Sequence, residues 1–229
     1  MVALGTWQLE RLRWKEALIA DLTGRAAAGA VPLPPSGADL ASVEYRHAVV
    51  SGTFLHDREM LLAARTYNGS VGSHVVTPLI MADGSMILVD RGWVPAVRKD
   101  PATRAAGQPA GLVTVDGIIR VPRRAGWLEP DNDPGRNIWF RADPPAMAAQ
   151  IGFTGPLAPV YLEAGPAPKP GGLPVGGQTR IDLPNDHLQY AITWYSLAMT
   201  LIVVYVLYHR QLKRRAADPR SDITTGSRG

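Results

Sequence analysis

Apolar residues fall along this chain in two patterns, a helical stripe and a long uncharged segment near its ends and short runs through its middle. Trp7, Trp14 and Leu18 fall in a narrow stripe at about 100° per residue, and Glu10 precedes Arg13 by one turn. Residues 6–28 therefore predict an amphipathic helix that packs on the following domain. A Pro/Gly-rich stretch over 29–37, with Pro32, Pro34 and Pro35, stops it. Short runs rich in Val, Ile, Leu and aromatics then predict strands at 45–55, 59–67, 74–81, 85–94 and 112–121, with Asp83-Gly84 as a hairpin turn. Residues 143–152 predict a short helix and 159–164 a last strand. No long helical pattern separates consecutive runs, which favours an antiparallel sheet or small barrel over βαβ units. Nine of the fourteen residues from Ala164 to Gly177 are Pro or Gly, predicting an extended connector. No internal repeat is visible.

From Leu188 to Tyr208 there are 21 residues without a formal charge. At about 1.5 Å per residue they cross a hydrocarbon core of about 30 Å. Tyr190, Trp194 and Tyr195 crowd one end and Tyr205 and Tyr208 the other, as interfacial rings do. A buried helix of a soluble protein is the plainer alternative. Arg210, Lys213, Arg214 and Arg215 follow the span, while Asp182 and Asp186 precede it, so the positive-inside bias puts the tail in the cytoplasm and the body outside. The first residues carry no signal peptide, so export of the body predicts a further transmembrane helix before Met1. Met1 as the true start would instead give a tail-anchored protein with a cytoplasmic domain.

The expected organisation is thus 1–28, a helix following that absent span; 29–187, an extracytoplasmic α+β domain with antiparallel strands; 188–208, a transmembrane helix; and 209–229, a basic tail. The fold class is an α+β integral membrane protein, multi-pass in the inner (cytoplasmic) membrane, with its main domain on the periplasmic side.

Composition narrows the chemistry. The chain of 229 residues is 46% hydrophobic and has no cysteine, which allows a packed core and excludes disulfides, thiolate zinc sites, iron–sulfur clusters and a cysteine nucleophile. The net charge is +4, but residues 209–229 hold six Lys/Arg against two Asp, leaving eighteen of each sign before them. A neutral body offers no footprint for nucleic acid. No P-loop, GxSxG, HExxH or GxGxxG follows the expected elements, so no covalent reaction is expected.

Five histidines remain. His187 stands one residue before the span, where a neutral imidazole could hold a haem iron, donate to a lipid head group, or simply cap the interface. His209, about 33 Å further along a helix, cannot share its iron. His47, His56 and His74 read as surface or packing residues. Arg91, Gly92 and Trp93 lie in RGWVP at an expected strand end, which reads as a turn with a buried Trp and with Arg91 pairing Asp90 or Asp133.

Four blocks in order, LGTWQLERLRWK, VDRGWVP, NDPGRNIWFRAD and GGQTRIDLPNDHLQYAITWYSLA, resemble the Surfeit locus protein one family of cytochrome c oxidase assembly factors. The likeness runs from Leu4 to about Tyr208, with Asp90 where members often carry Asn. It implies two transmembrane helices flanking an outer domain and a role in building haem–copper oxidases, with the oxidase catalytic subunit, the membrane lipid and the haem a synthesis machinery as partners. It also implies transient binding of haem a, with a family histidine mapping to His187. On that implication Arg180 and Arg91 would face the propionates, and Tyr190 and Trp194 would wall the ring. A scaffold for the oxidase subunit that never touches haem is the alternative.

Overall fold

The computed structural model describes residues 1–168, 170–179 and 184–216. Two compact units emerge, one of Met1–Ala20 with Asp182–Gly229 and the other of Asp21–Ile181.

The larger unit is a seven-stranded sheet. Its strands are β1 His47–Phe54, β2 Met60–Tyr67, β3 Ser70–Met81, β4 Met86–Pro95, β5 Leu112–Arg120, β6 Ile138–Trp139 and β7 Leu157–Ala164. Spatial order is β1-β5-β7-β4-β3-β2-β6, and β1 also pairs with β3, so β1, β5, β7, β4 and β3 close into a small barrel. The expected antiparallel rule holds for most neighbours and fails for two, because β4–β7 and β2–β6 run parallel. Hairpins enforce opposite directions; β7 instead arrives after the long connection from 121 to 156, which leaves its direction free. β6, only two residues long, has too little pattern to be read from sequence. β3 begins four residues before the expected 74, because Asn68 and Gly69 both take positive φ (46° and 77°) and turn β2 into β3.

Alternation explains the core. Ala158, Val160, Leu162 and Ala164 of β7 face Val50, Phe54, Leu79, Ile87 and Val89 inside the barrel. A second apolar layer on the outer face packs Met60, Leu62, Val76, Met86 and Leu88 with Trp139 and Met147. Met147 belongs to α2, Pro144–Gln150, which starts at the Asp143 cap, where the carboxylate accepts from Ala146 N. Sandwiched between both layers, β4 is buried from Met86 to Val94.

RGWVP lies inside β4 rather than in a turn. Gly92 has φ 114°, and a Cβ there would stand 1.9 Å from the Val175 carbonyl oxygen. That gap lets Trp93 and Val175 exchange N–H···O bonds of 2.9 and 2.8 Å. The Pro/Gly-rich segment after Ala164 is thus bridged to β4 at Val175, not a free connector as its composition suggests.

The smaller unit holds the first nineteen residues of α1, Val2–Ala27, and α3, His187–Ala216. α3 is long and apolar enough to cross a membrane. Its Leu201, Ile202, Val203 and Val204 stand exposed. On α1 the expected apolar stripe is not the buried face: Trp7 and Trp14 stay half exposed, and the residue buried is Gly5. The reason is local. A Cβ on Gly5 would lie 2.9 Å from Tyr195 Cζ, so the missing side chain makes room for the Tyr195 ring.

Candidate functional site

The antiparallel contact between α1 and α3 is polar at its ends and close in its middle. Tyr195 O–H donates to Thr6 Oγ1 at 3.0 Å, Thr6 itself donating to the Val2 carbonyl. Lys15 Nζ donates to the Pro184 carbonyl. At the head of α3, His187 Nδ1 donates to Gln8 Oε1 at 2.7 Å. This bond fixes the tautomer: Nδ1 carries the proton and Nε2 the lone pair. The same bond settles the orientation of the ring. Gln8 was not singled out from the sequence, although it lies in the first of the family-like blocks.

Tyr190 and Trp194 follow His187 at three and seven residues on the same helix side. Tyr190 is exposed and Trp194 half-buried, while Ala191 and Tyr195 occupy the face toward α1. Arg180 lies outside the described residues.

Arg91 belongs to the larger unit and is 2% exposed there. One of its terminal nitrogens donates to the Gly107 carbonyl, the other to His56 Nδ1 at 3.3 Å, and its guanidinium lies 4.9 Å from the Phe54 ring. His56 donates in turn from Nε2 to the Pro109 carbonyl at 2.9 Å. Burial pushes the Arg91 guanidinium down to about 10, with Glu59 opposing and Arg104 adding to the shift. Burial likewise holds the His56 imidazole below its ordinary range, consistent with its accepting from Arg91. A guanidinium so enclosed is packed among core residues. The expected partners Asp90 and Asp133 are engaged with His74 and Arg136 respectively. Trp93, 7% exposed, is buried as expected, donating from Nε1 to the Arg65 carbonyl at 3.2 Å and packing on Tyr67.

The larger unit also holds a polar cleft of about 360 Å³ that sequence reasoning missed. Its wall includes His74 and Asp90, joined by a 2.8 Å bond from Nδ1 to Oδ2. Across from them stand Tyr161 and Glu163 of β7, with Arg120 3.4 Å from Glu163. Burial pushes the Glu163 carboxyl above its usual range, and the Asp90 charge adds to this while Arg120 opposes it. The signal available in sequence was an interruption of apolar alternation by charged residues in HVVTPLI, ILVDRG and VYLEA; only the register, which pairs Asp90 with Glu163, brings them together.

Among the described residues no three His, Asp or Glu side chains converge as a metal site. Haem differs from a bare ion in bringing four ring nitrogens of its own, so a single oriented imidazole such as His187 is a sufficient donor set on the protein side.

Comparison with known proteins bears on the whole chain. The SURF1 family profile matches residues 1–199. A SURF1-like protein of Monosiga brevicollis is 41% identical over 219 residues, covering 91% of this chain and 83% of that protein. Surfeit locus protein 1 of Rattus norvegicus is 39% identical over 228 residues, covering 93% and 72%. The Homo sapiens protein of the same name is 40% identical over 212 residues, covering 85% and 69%. These relatives are eukaryotic and lend the expected periplasmic location no support. A match of this extent, running through both units and reaching into α3, means that the chain belongs to the SURF1 family.

Proposed function

We propose that this protein is a membrane-held assembly factor for haem–copper oxidase that binds haem a through His187 and assists its delivery to the catalytic subunit. The observation that carries the reading is the His187–Gln8 bond of 2.7 Å, which leaves Nε2 as the nitrogen that could meet an iron, at the head of the one described helix both long and apolar enough to span a membrane. Family membership supports the assembly role, through the function that the sequence resemblance implies.

The protein's part is to bind and orient. α3 crosses the bilayer with its basic end, Arg210 to Arg215, in the cytoplasm, and holds the β-rich unit on the opposite side. His187 would hold the haem iron through Nε2, at the height where an apolar macrocycle meets lipid and its carboxylates meet water. Trp194 and Tyr190 would flank it, and Arg180 and Arg91 would face its carboxylates. Bound haem a supplies the redox-active iron that the oxidase later uses. Nothing in this chain need react covalently.

A scaffold that never holds haem has one observation in its favour. Trp127 is 92% exposed beside an exposed Leu128, the kind of aromatic anchor that fills a partner's pocket. The two readings separate on the absorption spectrum of the full-length protein purified from cells that synthesise haem a. A bound haem a band supports the carrier, whereas colourless protein that retains the oxidase subunit supports the scaffold.

A further inference from the structure

We propose that the polar cleft of the β-rich unit is a binding site for a small oxyanion, a carboxylate or a phosphate, held by Arg65, Arg120 and Arg123. The proposal is independent of His187 and haem.

Charge is the first argument. Three guanidiniums line the cleft against two carboxylates, Asp90 and Glu163, and Arg123 is already paired at 2.7 and 2.6 Å with Glu129 outside the lining. Burial of Glu163 weakens even that acidity, since its carboxyl is held toward the neutral form. A cleft with this balance attracts anions and repels metal cations. Its volume of about 360 Å³ suits a small molecule and excludes a polymer.

Hydrogen bonding is the second. Asp90 is 4% exposed, and its two oxygens are already used, one by His74 Nδ1 at 2.8 Å and one by Gly92 N at 3.0 Å. That arrangement pins the imidazole with its proton on Nδ1, so Nε2 is an acceptor and takes no part in holding the anion. Arg120 Nε–H is buried without a hydrogen-bond acceptor, its nearest carboxylate, Glu44, being 3.9 Å away. A buried guanidinium donor left in this state is costly in a purely structural network and is what an incoming oxygen would satisfy. Arg65 spends one terminal nitrogen on the Phe140 carbonyl at 3.1 Å and keeps further donors on the same fork.

The backbone supplies the third. β2 is bulged between Leu62 and Arg65, with Ala64 at φ 55°, and the β3–β4 register shifts between His74 and Val76. Both irregularities lie at the cleft and re-aim its residues. A plain ladder would need neither, and a non-glycine in the left-handed region is strained.

The test is calorimetric titration of the full-length protein in detergent micelles with sodium succinate and, separately, sodium phosphate, each at ionic strength matched by sodium chloride. Saturable binding of at least one is expected, weakened about tenfold or more in Arg65→Gln and Arg123→Gln. Succinate alone would assign a carboxylate ligand, phosphate alone a phosphate. Arg123 is exposed, so its variant decides the matter should Arg65→Gln fail to fold. No saturable heat from either anion, or wild-type affinity in the folded variants, overturns the proposal. Neither result bears on haem at His187, because that is read from pigment and not from these heats.

Discussion

Gln8 and His187 are 179 residues apart in sequence and 2.7 Å apart in space, with the Gln8 carboxamide oxygen accepting the Nδ1 proton of the imidazole. A ligating histidine depends on such a partner for its tautomer and its ring orientation.

Gln8→Leu removes the acceptor while nearly preserving side-chain volume. Haem a affinity is expected to fall about 10- to 100-fold. Gln8→Glu, which keeps an acceptor, is expected to retain pigment. Titration of the purified variants with haem measures this, and unchanged affinity in Gln8→Leu would remove the residue from the orienting role.

Gly92→Ala places a methyl group 1.9 Å from the Val175 oxygen at φ 114°. The backbone strain alone costs about 1–3 kcal/mol. Trp93→Ala, which empties a buried site and frees the Arg65 carbonyl, is expected to cost about 3–5 kcal/mol. Thermal unfolding of the two variants reads both values. A Trp93→Ala variant that melts with wild type yet fails in oxidase assembly would place the ring on a partner surface instead.

Glu59 is the counter-charge for two buried guanidiniums, forming an ion pair with Arg104 and acting electrostatically on Arg91. Glu59→Gln leaves both cations without it and is expected to destabilise the β-rich unit by about 3–5 kcal/mol. Denaturant unfolding measures the change. A loss below about 1 kcal/mol would mean that solvent or other groups already screen the pair.

Glu163 gives a pH dependence of definite sign. Its carboxyl is held above its unfolded value by burial, so its contribution to stability is full below the unfolded pKa, about 4.3, and is lost as pH rises through the folded value. Glu163→Gln mimics the protonated form. The variant is expected to match wild type near pH 4 and to melt higher toward neutrality. Melting curves across that range check the crossing, and a variant less stable than wild type at neutral pH would show the Arg120 attraction to outweigh burial.

What was legible in the sequence follows from how local each signal is. Runs rich in Val, Ile, Leu and aromatics found β1, β2, β4, β5 and β7 nearly to the residue, and Asp83-Gly84 marked the β3–β4 turn, because strand propensity and tight turns are set by neighbours in sequence. The parallel β4–β7 pairing, the Val175 bridge and the closure through β1–β3 depend on partners far along the chain. Trp7 and Trp14 misled for the complementary reason, since large rings at helical spacing look like a buried stripe, whereas close packing on α3 selected the residue with no side chain, Gly5. His187 was legible through its place before the apolar run; Gln8 and the His74–Asp90 pair were not, being defined by tertiary contact.

The most direct measurement is haem a bound per folded protein in His187→Ala, purified from cells that make haem a, beside wild type and His209→Ala. The account predicts pigment lost from the His187 variant and retained at wild-type level in the His209 variant. Pigment retained by His187→Ala, or lost equally from both, would contradict it.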